Sequence, residues 1–218
     1  MVDPTGRVPR VRRRKAIGAQ VVVDAAIRTL ARDGLDGLSV RKVAAEAGLS
    51  VGAVQHHYPT KNALLVAAAE RTTAIFSARA DHLAHRAFTE GGAVAAFVAF
   101  CELLANASSE PDGTGDDTSA TIVWLWYAAK ATQSGPVAHS FAAAWAHTEQ
   151  HLAGVIAGLW PTVDAATEAA HLLAVLDGIA IARATEPQRM PIARAQMLVQ
   201  RHIKQLKWDR TPDLDNDA

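Results

Sequence analysis

The chain has 218 residues, half of them hydrophobic, and its 22 basic and 22 acidic residues leave no net charge. That length suffices for one large or two small domains, and the zero balance means that any attraction to a polyanion must come from uneven placement of charge. Cys101 is the only cysteine, which excludes an intrachain disulfide and fits a reducing cytoplasm. No uninterrupted apolar run approaches the roughly 18 residues of a bilayer span, so no membrane partner is expected.

The charge is indeed uneven. Arg7, Arg10, Arg12, Arg13, Arg14 and Lys15 stand against Asp3 alone, a net +5 within the first 15 residues. Positive charge at a helix start opposes the macrodipole and costs a few tenths to about 1 kcal/mol per charge. Neutralising phosphates is the natural compensation and would bring steep salt dependence; a solubilising tail is the alternative. Gln20 and Asp24 interrupt the apolar stretch beyond this arm, which argues against a signal peptide. Asp209, Arg210, Asp213, Asp215 and Asp217 make the other end acidic, with a net −3.

A lead-in helix over Val22–Leu30 is followed by Gly34. Ser39 is a good N-cap, and Val40, Val43, Ala44 and Ala47 recur at helical spacing behind it. Gly48 follows the last periodic residue, where a left-handed conformation closes a helix cheaply. Ser50 caps the next helix, with Val51, Val54 and Tyr58 on or near its inward face. Gly52, Ala53, Gln55, His56 and His57 look outward. Small residues beside amide and imidazole donors suit an element that approaches a nucleic-acid groove closely. On their own, the two histidines would equally suit any exposed surface helix.

These residues resemble the TetR (tetracycline-repressor-type) family of bacterial regulators over roughly residues 13–65. The specific part is Val43-Ala44-Ala45-Glu46-Ala47-Gly48-Leu49-Ser50-Val51-Gly52, followed by His57-Tyr58-Pro59-Thr60-Lys61. The resemblance implies that Ser39, Arg41, His57 and Lys61 contact backbone phosphates, with Arg12, Arg13 and Arg14 adding to the grip. It places Val51, Gly52, Ala53, Gln55 and His56 in the major groove. Gln55 is the best base reader among them, because its amide pairs bidentately with adenine. Two positions depart from the family pattern: Gln55 stands where Tyr is frequent, and Val51 where a basic or polar residue is common.

Beyond residue 60 the chain reads as helix after helix. Thr60 caps a segment to about His85, Gly91-Gly92 breaks it, and a helix runs on to about Ala107. An acidic loop spans 108–117. Helices then run to about Gln133, from Pro136 to about Leu159, from near Asp164 to about Thr185, and from beyond Pro191 to about Lys207. The expected fold is all-α, a three-helix helix-turn-helix head and a larger helical bundle, about nine helices in all. The expected divisions are a flexible basic arm over 1–12, the head over 13–60, an effector-binding and dimerisation part over 61–208, and an acidic tail over 209–218.

Ala170, Leu173, Ala174, Asp177, Gly178 and Ile181 form a small-residue face at helical spacing. By resemblance it serves a homodimer interface, the usual way for such heads to read a palindromic operator in double-stranded DNA. The effector pocket, again by resemblance, falls among the middle helices. Its candidates are Phe97, Phe100, Trp124, Trp126, Tyr127, Gln133, Trp145 and His147, a set whose apolar walls and few polar groups suit a small hydrophobic molecule. For any one of these aromatics, plain core is the competing reading.

His147-Thr148-Glu149-Gln150-His151 places two imidazoles a turn apart, but its Glu is not the residue after the first His, as a zinc-protease helix requires. His82 and His85 lack an evident third ligand. No Ser-His-Asp set or phosphate loop stands out, so neither catalysis, nor a metal, nor a cofactor is expected. The reading is a ligand-responsive regulator, most simply a repressor. Its rivals are a helical binding protein or enzyme with a purely structural helix-turn-helix, and a regulator controlled by a protein partner.

Overall fold

The computed structural model describes the backbone of residues 10–108 and 117–208, and the side chains of residues 18–108 and 119–206. Eight helical elements follow one another: α1 (Arg10–Gly37), α2 (Val40–Ala47), α3 (Val51–His57), α4 (Lys61–Leu104), α5 (Asp117–Ala131), α6 (Pro136–Leu159), α7 (Ala165–Thr185) and α8 (Ile192–Trp208). α4 is two helices either side of Gly92, whose φ of 76° and ψ of −168° leave the helical region. No strand occurs among the described residues. The chain is all-α, as its periodicity indicates. The first nine residues, the acidic loop from 109 to 116 and the acidic tail from 209 lie outside the described residues, as do the side chains of Arg12, Arg13 and Arg14. The backbone at 10–12, expected in the arm, already belongs to α1.

Most helix ends follow from local chemistry. Ser39 Oγ accepts from Lys42 N at 3.2 Å, Ser50 Oγ from Ala53 N at 3.1 Å and Thr60 Oγ1 from Ala63 N at 3.1 Å. Each satisfies an amide that has no partner inside its own helix. Asp164 does the same for α7, accepting from Thr167 N at 3.3 Å. Gly48 closes α2 in the left-handed region, φ 65° and ψ 31°, where a Cβ would add strain.

The chain divides into two compact units. The first comprises the opening 75 residues together with Ile122–Phe141, the second Phe76–Thr121 and Ala142–Ala218. The head is therefore not closed at residue 60. Its core joins Val22, Leu30, Leu38, Val43, Val54, Leu64 and Leu65 to Val123, Tyr127 and Val137 from α5 and α6. α5 and the first turn of α6 complete that core. The second unit has its own core, with Phe97, Cys101, Leu152, Ile156, Leu172, Leu176, Val199 and Ile203 at its centre. Burial pushes the Cys101 thiol well above its ordinary value, so it is an inert part of that core.

Two helices have span-like hydropathy. An 18-residue window of α4 has a mean hydropathy of 1.5 and one of α7 reaches 1.4, so both helices are long and apolar enough to cross a membrane. The apolar face of α7 is nevertheless spent on protein: Ala169, Leu172, Leu173, Leu176, Ile179, Ala180 and Ala182 are all buried in the second unit or at its edge. Alanine-rich packing helices reach span-like hydropathy without any lipid.

Candidate nucleic-acid interface

α3 presents two different sides. Val54 is fully buried beneath it, whereas Val51, Gly52, Gln55 and His56 are exposed along the opposite edge. Those four recur one turn apart and share one stripe. Val51 keeps 41% of its surface open, which packing within the head does not require. A Cβ added at Gly52 would meet nothing within 4 Å, so the head's own packing does not demand glycine there. Ala53 and His57 are half-buried at the margins of the stripe.

The positions expected to hold phosphates flank this stripe. Ser39 and Lys61 are half-buried at the starts of α2 and α4, and Arg41 is exposed in the first turn of α2. Ser39 spends an acceptor lone pair on its cap, which leaves its hydroxyl hydrogen to donate. His57 is more constrained than its sequence suggests. Its ring meets His56 edge-on at 5.3 Å between centroids and Tyr58 at 6.4 Å. Its Nε2 would lie 3.4 Å from a Cβ on Gly18, so the ring rests against α1 at that glycine.

Two sequence-family models match the chain over the regions that carry this geometry. "Bacterial regulatory proteins, tetR family" covers residues 22–68, and "BetI-type transcriptional repressor, C-terminal" covers 107–207. The chain belongs to the TetR family of transcriptional regulators. TetR-family chains are DNA-binding regulators.

Solved TetR-like structures agree. A transcriptional regulator from Rhodococcus sp. Rha1 shares 26% identity at a TM-score of 0.74, over 87% of this chain and 96% of its own. A putative transcriptional regulator from Pseudomonas aeruginosa PAO1 also shares 26% identity, at 0.65, over 94% and 95%. The multidrug binding protein EbrR, complexed with imidazole, shares 29% identity at 0.59, over 84% and 93%. No curated protein matches the chain in sequence.

Within the TetR head, an ion-pair network absent from the sequence reading fixes α1 against α2. Glu46 accepts from Arg28 Nε at 2.8 Å and from Arg32 Nη1 at 3.0 Å, while Asp33 accepts from Arg32 Nε at 2.9 Å and Lys42 Nζ at 3.2 Å. The hydrogen bond from Arg28, then that from Arg32, holds the Glu46 carboxyl below its ordinary value; those from Arg32 and Lys42 do the same for Asp33. The basic side chains here are largely exposed, so the network orients more than it stabilises. Arg28 and Arg32, one turn apart, were its only signal in the sequence.

The expected pocket residues divide between the two units. Tyr127 is buried in the head core with its ring 5.5 Å from that of Phe141, and Trp126 packs there against Gly34. Trp124 is half-buried on the same helix, and Gln133 and His147 are exposed. Phe97, Phe100 and Trp145 belong to the second unit. There Phe100 lies edge-on to Phe76 at 6.3 Å and to His151 at 5.3 Å, and Phe97 to Trp160 at 5.6 Å. Trp145 Nε1 donates to Asp177 Oδ2 at 2.9 Å. Burial raises the Asp177 carboxyl and the indole bond partly offsets this. No group of three or more metal-ligating side chains occurs among the described residues.

The small-residue face of α7 also divides. Ala170, Ala174, Gly178 and Ile181 lie on its outward side, with Ile181 41% exposed, but Leu173 is 4% exposed inside its own core and Asp177 is bonded to Trp145. An inward register explains both corrections: Leu172, Leu173 and Leu176 take the buried side, and the outward stripe is left to small residues.

Proposed function

We propose that the chain is a homodimeric repressor that grips a palindromic operator and is released by a small apolar molecule carrying a cationic end. The observation that carries the DNA reading is the exposed edge of α3, Val51, Gly52, Gln55 and His56, lying opposite the fully buried Val54. Gln55 reads a base, Val51 and Ala53 pack on thymine methyls, and His56 lies beside them. Ser39, Arg41, His57 and Lys61 hold phosphates, joined by Arg12, Arg13 and Arg14 at the start of α1. The protein acts where the chromosome is, in the cytoplasm.

Self-association uses the outward stripe of α7, Ala170, Ala174, Gly178 and Ile181, together with the outer face of α8. That face carries a shallow groove of about 590 Å³ lined by Ala193, Gln196, Met197, Gln200 and Lys204, with Met197 56% exposed. Small residues allow close helix approach, and the resulting two-fold places two recognition edges on one duplex.

The effector reading rests on the second unit. Phe76, Phe97, Phe100 and Trp145 all lie in the second unit, and Asp177, bonded to Trp145, adds a partly buried carboxylate. An aromatic set with an anionic group favours a lipophilic cation. The similarity to EbrR, a multidrug binding protein, supports a small-molecule effector.

Ala174→Arg tests the assembly, because Ala174 is exposed and its replacement leaves the core intact. Light scattering should show the native chain as a dimer and this variant as a folded monomer that no longer shifts DNA. A variant that keeps the dimer mass and the DNA shift overturns the reading. A panel of lipophilic cations, scored for release of the shifted band, tests the effector class; release by neutral or anionic compounds instead would contradict it.

A further inference from the structure

α7 and α8 meet through a pair of histidines that DNA binding does not use. The rings of His171 and His202 stand edge-to-face, 4.9 Å between centroids and 83° between planes. His171 is exposed at the margin of α7, and His202 is half-buried on α8. His202 Nε2 is buried and meets no hydrogen-bond partner among the described residues.

The charged surroundings are few. On α7, Glu168 lies one turn before His171 and is the one carboxylate that His202 feels. On α8 itself, Arg201 and Lys204 are exposed. Glu102 of α4 is occupied by Gln200 Nε2 at 2.8 Å.

We propose that His171 and His202 form a proton-sensitive joint between α7 and α8, firm while both rings are neutral and loosened when both carry charge. Neutral rings gain from edge-to-face contact. A proton on His202 Nε2 creates a buried donor with no acceptor. Two imidazolium rings at this separation repel, and Glu168 offsets one positive charge but not two. Burial and the neighbouring His171 lower the affinity of His202 for a proton, and Glu168 partly restores it. The folded chain therefore binds fewer protons here than the unfolded chain, so stability falls as pH drops below the ordinary histidine value of 6.5. The two rings belong to one subunit, but α7 and α8 also carry the self-association face proposed above.

The test is hydrogen exchange of α7 and α8 in the full chain, corrected for intrinsic rates, at about pH 7.5 and about pH 5.5. The native chain should lose protection in these two helices on the order of tenfold at the lower pH. His202→Phe keeps an aromatic edge but cannot titrate, and should hold its protection at both values. His171→Gln removes the repulsion but leaves His202 buried, and should show a smaller loss than the native chain; it serves as the test if the phenylalanine variant misfolds. His139→Asn, in the other unit, should lose as much protection as the native chain. Light scattering accompanies the exchange at both pH values. No loss in the native chain, or an equal loss in His202→Phe or in His171→Gln, overturns the proposal. A loss of protection that appears only together with a loss of dimer mass also overturns the joint and leaves the self-association reading standing.

Discussion

Gly34→Ala should weaken the head measurably. Gly34 sits between the long helical run of α1 and its last turn, with φ 70° and ψ −175°. That region is essentially closed to residues with a Cβ and costs of order 1–3 kcal/mol to occupy. The added Cβ would also lie 3.0 Å from Trp126 Cζ2. The indole is packed in the head core and can yield only slightly, and such overpacking costs about 1–3 kcal/mol. Alanine restricts the unfolded chain and returns about 0.4–1 kcal/mol. The net loss is therefore about 1–5 kcal/mol, read as a lower urea midpoint at unchanged slope. Combining Gly34→Ala with Trp126→Leu should recover the steric part alone, a coupling of about 1 kcal/mol in a double-mutant cycle. A loss below about 0.5 kcal/mol for Gly34→Ala, or no coupling, would refute the packing argument.

Other outcomes rest on the same geometry. Lys61→Ala should weaken binding to all duplexes about equally and flatten the salt dependence, whereas Gln55→Ala should relax preference at one base pair by about 1–3 kcal/mol, both read by competition binding. Arg183 donates from Nε to Asn106 O at 2.8 Å and from Nη1 to Met190 O at 3.1 Å, tying the end of α4 to the turn before α8. Arg183→Ala removes both charge-assisted bonds and should cost about 2–3 kcal/mol in urea unfolding. Asp177→Asn keeps an acceptor for Trp145 but removes the charge, so calorimetry should show weaker binding of lipophilic cations with little change in the thermal midpoint.

The helix ends were legible because their causes are local. Ser39, Ser50, Thr60 and Asp164 each act within three residues of themselves, and Gly48 answers to a single backbone angle. The exposed edge of α3 was partly legible for the same reason, since Val54 and Gln55 on one short helix must point different ways. Val51, however, read as near the inward face, is exposed. The features that the sequence concealed depend on which helices meet. Nothing in the spacing of Trp126 and Tyr127 assigns them to the head, because their partners Gly34 and the α1–α3 core lie far back in the chain. Arg28 and Glu46 are 18 residues apart, and His171 and His202 on different helices. Leu173 reads as interface or core until α7 is given a register. Windowed hydropathy is high at α4 and α7 because alanine counts as apolar whether it faces lipid, core or water.

Selection from a pool of random duplexes at moderate salt tests the central claim most directly. A dimer reading DNA through the edge of α3 should enrich an inverted repeat whose half-sites lie about one helical turn or a multiple apart, and Gln55→Ala should change the enriched bases without changing that spacing. Recovery of sequences with no palindromic preference, or of the same sequences from the native chain and from Gln55→Ala, would contradict the account.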